Sequence, residues 1–219
     1  MASIVVFAGG FGSGKSEIAL NWALRRSAES EKVILADLDL VNPYVVSRSV
    51  KNKLESKGVR VIAPHDELSF SDVPSIPSEI LGLLHEDNEL IIDLAGDEVG
   101  SRVMGFLHSN ISEESNCEFY LVINPYRPFA SNLEGILTLK ELLESAAHRR
   151  FTGIISNPNL MAETNEEIIR KGHRLVEYYA REMDLPIRFL TVEDEFYRIL
   201  KPEYKDLLEC IQLYLKPTF

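Results

Sequence analysis

Gly9-Gly10-Phe11-Gly12-Ser13-Gly14-Lys15-Ser16 follows directly on the apolar run Ser3–Ala8 and leads into a helical pattern that begins at Glu17. The octet satisfies G-x-x-x-x-G-K-[ST], and a strand before it with a helix after it is the context its chemistry requires. Glycines let successive backbone N–H groups turn inward around anionic oxygens, and the positive end of the following helix favours the same ligand. A phosphate chain is what such a loop takes. Gly10, Phe11, Gly12, Ser13, Gly14, Lys15, Ser16 and Glu17 are therefore expected to line it, with Lys15 on the β- and γ-phosphates and Ser16 on Mg2+.

Outward from the loop, short β-branched runs alternate with longer helical patterns, the rhythm of crossover units that build a parallel sheet covered on both faces. The expected strands are Ser3–Ala8, Lys32–Asp37, Val59–Ala63, Leu90–Leu94, Glu118–Asn124, Phe151–Ser156 and Pro186–Thr191. Several are apolar throughout, as buried parallel strands are. Thr164 with Glu167 forms a capping box, and Ile168, Gly172, Leu175 and Tyr179 follow at helical spacing as a core-facing stripe. Tyr204, Leu207, Leu208 and Ile211 have the spacing of an amphipathic helix packed on the sheet. The polar, proline-interrupted stretch from Pro64 to Pro77 reads as a surface loop and not as a linker. The fold class is α/β, a single domain over 1–219: a three-layer α/β/α P-loop fold with a mostly parallel sheet.

A net charge of −11 argues against a nucleic-acid backbone or an anionic membrane as the main partner, since both need a concentrated positive field. No apolar run approaches the roughly 20 residues that span a bilayer, and the opening MASIVVFAGG has no basic leader. A cytoplasmic protein is expected. Cys117 and Cys210 stand apart from each other and from any histidine at metal-ligand spacing, so they read as small apolar residues.

Two further segments carry carboxylates to the edge of the sheet. VILAD runs into Asp37-Leu38-Asp39-Leu40-Val41-Asn42-Pro43, placing Asp37 and Asp39 at the carboxyl end of the second strand, where open α/β sheets bind their ligands. Asp39 is the candidate for orienting an attacking water, with Asp37 supporting the hydration shell of Mg2+. Leu90-Ile91-Ile92-Asp93 is an apolar strand ending in a carboxylate that would hold Mg2+ through water, and Gly96 leaves room for the backbone to approach a terminal phosphate. Asp97 and Glu98 read as acids serving a helix N-terminus. Arg127, next to a strand ending at Asn124, has two readings, a clamp on an anion or a solvated surface residue, of which the sequence favours the second.

In this order the motifs GGFGSGKS, DLDLVNP, IIDLAG and the SNPN of Ser156–Asn159 resemble the SIMIBI class of P-loop NTPases, in particular the nucleotide-binding domain shared by MinD, ParA, CobB and CobQ proteins. The resemblance implies that Asp39 positions the hydrolytic water and that Asn157 contacts the base. An amide suits that role because it offers a donor and an acceptor together. MinD and ParA proteins carry a second lysine in the loop that reaches across a dimer, and Gly10 stands at that position here, so this route to a nucleotide-sandwich homodimer is not offered. The loop also looks like that of the hydrogenase and urease maturation GTPases, but their Asn-Lys-x-Asp signature and their metal-binding Cys and His clusters are lacking. ATP with Mg2+ is accordingly expected over GTP.

The resemblance leaves two readings of function. One is an ATPase whose hydrolysis serves a protein partner, with a homodimer possible. The other is an ATP-dependent ligase of the dethiobiotin synthetase or cobyrinate amide synthase type, acting on a small carboxylate. A polynucleotide kinase shares the phosphate loop, but the acidic charge and the lack of an aromatic-plus-basic stripe count against it.

Overall fold

The computed structural model describes residues 3–39, 48–63, 77–111 and 116–215. Eight strands form one sheet, all pairs parallel, in the order β3-β2-β4-β1-β5-β6-β7-β8. They are β1 (Ser3–Ala8), β2 (Val33–Leu38), β3 (Val59–Ile62), β4 (Glu89–Leu94), β5 (Asn116–Ile123), β6 (Gly153–Ser156), β7 (Ile187–Glu193) and β8 (Leu208–Ile211). Seven helices are described: α1 (Lys15–Arg26), α2 (Arg48–Ser56), α3 (Glu79–Leu83), α4 (Glu98–His108), α5 (Leu133–Ala147), α6 (Glu166–Met183) and α7 (Asp194–Tyr204).

The period of two along β1 sorts its side chains between two cores. Ile4, Val6 and Ala8 pack with residues of α3 to α6, including Ile80, Leu107, Leu143 and Val176, while Val5 and Phe7 pack with Ile18, Leu20 and Ala23 of α1 and Val50 and Leu54 of α2. A strand buried on both faces favours apolar residues at every position, which accounts for the apolar runs IVVFA at 4–8 and VILA at 33–36, with Asp37 a buried exception near the end of β2. The sheet order puts β1 between β4 and β5. The strand order therefore turns outward in both directions from β1, and the loop after it opens at the crevice where such sheets bind ligands.

Two local readings are corrected. Asn165, and not Thr164, caps α6: its Oδ1 accepts the Ile168 N–H at 3.0 Å, while the Thr164 hydroxyl accepts the N–H of Leu160 at 2.9 Å. The buried stripe shifts with the cap, to Ile169, Gly172, His173, Val176, Tyr179, Ala180 and Met183. The second correction is at the C-terminal end, where no amphipathic helix runs through Tyr204 to Ile211. A 3-10 turn at Lys205–Leu207 ends α7, Lys205 having a φ of 48°, and Leu208–Ile211 adds a parallel strand beside β7. Leu208 and Leu200 bury there against Leu190, Val192 and Ile169. Apolar residues at 204, 207, 208 and 211 fit either element, and an open sheet edge at β7 favours the strand. The predicted loop at 64–77 lies outside the described residues but for its last one.

Candidate functional site

The loop between β1 and α1 is held open by its glycines. Gly12 and Gly14 have φ of 74° and 91°, a region that side-chain-bearing residues avoid. A Cβ on Gly9 would lie 2.4 Å from the carbonyl of Val122, and one on Gly96, beyond β4, would lie 2.2 Å from the carbonyl of Gly9. Neighbouring backbones thus press directly on the loop, and Gly96 serves that approach.

Lys15, Asp37, Asp39 and Asp93 converge. Asp37 and Asp93 are register partners on the adjacent strands β2 and β4, and the N–H of Asp39 donates to Asp37 Oδ1 at 3.1 Å. Lys15 Nζ donates to Asp39 Oδ2 at 2.7 Å and stands 3.8 Å from Asp93 Oδ1, with the Ser16 hydroxyl 3.5 Å away. All three carboxylates are buried, and Asp93 Oδ1 has no hydrogen-bond partner among the described residues. Burial is the main cause that pushes Asp37 up to about 8, reinforced by the charge of Asp93. Asp93 is pushed up to about 6, again chiefly by burial, with Lys15 and the Ser16 hydroxyl pulling it down. The Lys15 ammonium, despite its burial, is held above its ordinary range by Asp93, Asp39 and Asp37. The site is short of positive charge, and its hard oxygen donors with an orphaned carboxylate oxygen fit Mg2+. Ser16, Asp37 and Asp93 are the residues that would hold it.

Asn157 lies 5% exposed beneath the loop. Its Nδ2 donates to the carbonyl of Ser13 at 2.8 Å, and its Oδ1 accepts the Thr191 hydroxyl at 2.9 Å. One N–H and one lone pair of the amide are thus used to tie β6 and β7 to the loop, and one of each remains for a ligand. Asp97 caps α4 by accepting the Gly100 N–H, as its sequence position predicts.

Glu17 is placed differently from a phosphate-lining side chain. Its carboxylate accepts the backbone N–H groups of Tyr214 and Leu215, and Asn21, one turn on, exchanges hydrogen bonds with both backbone groups of Gln212. Only the backbone of Glu17 remains for the loop. Thr191 gave no signal in the sequence. Phe11, expected to line the phosphates, is 75% exposed at the loop tip, and Arg127, for which the sequence favoured a solvated residue over an anion clamp, donates Nε–H to the carbonyl of Gly12 at 3.2 Å. Ser13, expected to face the phosphates, has a buried hydroxyl without a partner among the described residues.

No protein-family model matches the sequence, and no curated protein matches it. Among solved structures the fold is similar to that of the cell division protein FtsY of Thermotoga maritima, with a TM-score of 0.57 at 17% identity over 89% of this chain and 63% of that one. FlhF complexed with GTP and Mg2+ aligns with a TM-score of 0.53 at 18% identity over 87% of this chain and 66% of that one. A nucleotide-binding protein of Archaeoglobus fulgidus in complex with ADP aligns at 0.50 and 18% identity, over 93% and 88% of the two chains. The chain thus spans a little under two thirds of the length of the FtsY structure. The likeness to these structures is one of fold.

Proposed function

We propose that the chain is a Mg2+-dependent nucleoside triphosphatase of the MinD, ParA and CobB type that takes ATP and couples its hydrolysis to a protein partner. The observation that carries the reading is the convergence of Lys15, Asp39 and Asp93 at the mouth of the glycine loop, where a phosphate chain would exchange for the carboxylates around the ammonium. Lys15 is paired with Asp39 at 2.7 Å. A triphosphate that takes up Lys15 would part it from Asp39, and Asp39 is the acid proposed to orient the attacking water, which assigns one residue to binding and the other to hydrolysis. Mg2+, when bound, supplies positive charge to the β- and γ-phosphate oxygens.

The base assignment rests on Asn157 and its C-terminal neighbours. The amide is held by Ser13 and Thr191, which leaves one donor and one acceptor for the edge of a base. Pro158-Asn159-Leu160 offers no carboxylate for a guanine edge, which supports adenine. Titration with ATP and GTP, each with Mg2+, followed by phosphate release from whichever binds, tests the reading. GTP preference would overturn the base assignment. Release accelerated by small carboxylates would replace the partner-coupled ATPase with the ligase. No helix among the described residues is long and apolar enough to cross a membrane.

A further inference from the structure

Arg127 is built onto the loop. Its backbone is set by a turn in which its N–H donates to the carbonyl of Asn124 at 3.1 Å and its own carbonyl accepts the N–H of Ala130 at 2.9 Å, with Pro128 fixing the next residue. The turn is anchored in its turn: Asn124 Oδ1 accepts the Tyr126 N–H, Asn124 Nδ2 donates to the carbonyl of Asn159 at 2.7 Å, and the Tyr126 hydroxyl donates to the carbonyl of Ile168 at 2.6 Å. From this base the guanidinium crosses to Gly12, close enough that a Cβ there would stand 3.1 Å from Nε. Only Nε is spent. The two terminal nitrogens, with four donors in a fixed planar fork, have no hydrogen-bond partner among the described residues.

The charges of the site explain what such a fork is for. Lys15 stands 2.7 Å from Asp39 and 3.8 Å from Asp93, with Asp37 beside Asp93 in register, so a single ammonium is set among three acidic side chains where a polyphosphate would be held. Mg2+ offsets part of this. A second fixed cation on the loop offsets more, and Arg127 is the cation that hydrogen-bonds to the loop backbone. We infer that Arg127 is a second phosphate-binding cation of this site, whose terminal nitrogens contact the last phosphate of a bound triphosphate. The inference rests on the nucleotide-binding reading above.

The test compares wild type and Arg127→Ala by calorimetric titration with MgADP and with a non-hydrolysable MgATP analogue, alongside thermal melting of the nucleotide-free proteins. The expected result is at least a tenfold loss of affinity for the triphosphate, a change of less than twofold for the diphosphate, and unchanged melting. Equal losses for the two nucleotides would make Arg127 a brace of the loop and overturn the inference, as would equal affinities of variant and wild type. Failure of wild type to bind either nucleotide would instead refute the underlying reading and take the inference with it.

Discussion

Gly14→Ala isolates the physical link between the phosphate loop and the strands that would carry the base. Gly14 has a φ of 91°, and an added Cβ would lie 2.2 Å from Asn157 Nδ2. Neither group has room to yield, because Asn157 is tied at both ends, to the Ser13 carbonyl and the Thr191 hydroxyl. The left-handed conformation costs alanine roughly 1–2 kcal/mol. Displacing Asn157 forfeits two buried hydrogen bonds at about 1 kcal/mol each and takes the amide donor from the Ser13 carbonyl, while the Thr191 hydroxyl keeps the Ser156 carbonyl at 3.2 Å. The sum is about 4 kcal/mol, which for a domain of this size lowers the melting temperature by roughly 10 °C. The assay is a double-mutant cycle by thermal or denaturant unfolding. Asn157→Ala alone should cost about 2 kcal/mol, yet in the Gly14→Ala background it should cost almost nothing, because the amide has already been displaced. Additive losses, or a Gly14→Ala protein as stable as wild type, would refute the reasoning.

Three other outcomes follow from the same geometry. Lys15→Ala should weaken MgATP binding at least a hundredfold, whereas Asp39→Asn, by releasing Lys15 from its 2.7 Å partner, should preserve or tighten binding while phosphate release falls; parallel loss of both in Asp39→Asn would remove its assigned role. Asp37, held near 8 when folded against about 3.9 when unfolded, keeps its proton only in the folded chain between those values. The nucleotide-free protein should therefore lose stability as pH rises from about 4 to about 8, and Asp37→Asn should flatten that slope and melt higher than wild type at pH 8; parallel melting-versus-pH curves for the two proteins would contradict it. Glu17→Ala should release the 212–215 segment, seen as faster hydrogen exchange at Tyr214 and Leu215 and about 2 kcal/mol of lost stability, without a matching loss of nucleotide affinity.

The sequence made the loop and the acidic strand ends legible because their chemistry is local. A glycine octet between an apolar run and a helix has few other uses, and Asp37, Asp39 and Asp93 each end a run that must be a buried strand. Open sheets bind at their carboxyl ends, and the β2–β4 register sets Asp37 opposite Asp93 there; that these acids gather around one lysine is a tertiary meeting the sequence did not state. What stayed hidden depends on residues far apart in the chain. Arg127 reaches Gly12 across 115 positions, and Glu17 finds its partners 197 and 198 positions away. No periodicity encodes such meetings. The last strand was missed for a different reason: four apolar positions at 204, 207, 208 and 211 satisfy a helix as well as a short strand, and only the free edge of β7 decides between them. The shifted cap of α6 is a contest between adjacent Thr164 and Asn165, either of which can cap, settled once the Thr164 hydroxyl accepts the N–H of Leu160.

The central claim is that the loop from Gly9 to Ser16 binds a nucleoside triphosphate through Lys15, with ATP as the preferred ligand. Calorimetric titration of wild type and Lys15→Ala with MgATP and MgGTP tests it most directly. The account predicts saturable binding of MgATP by wild type, weaker binding of MgGTP, and no measurable heat from Lys15→Ala; equal binding by the variant, or no binding of either nucleotide by wild type, would contradict it.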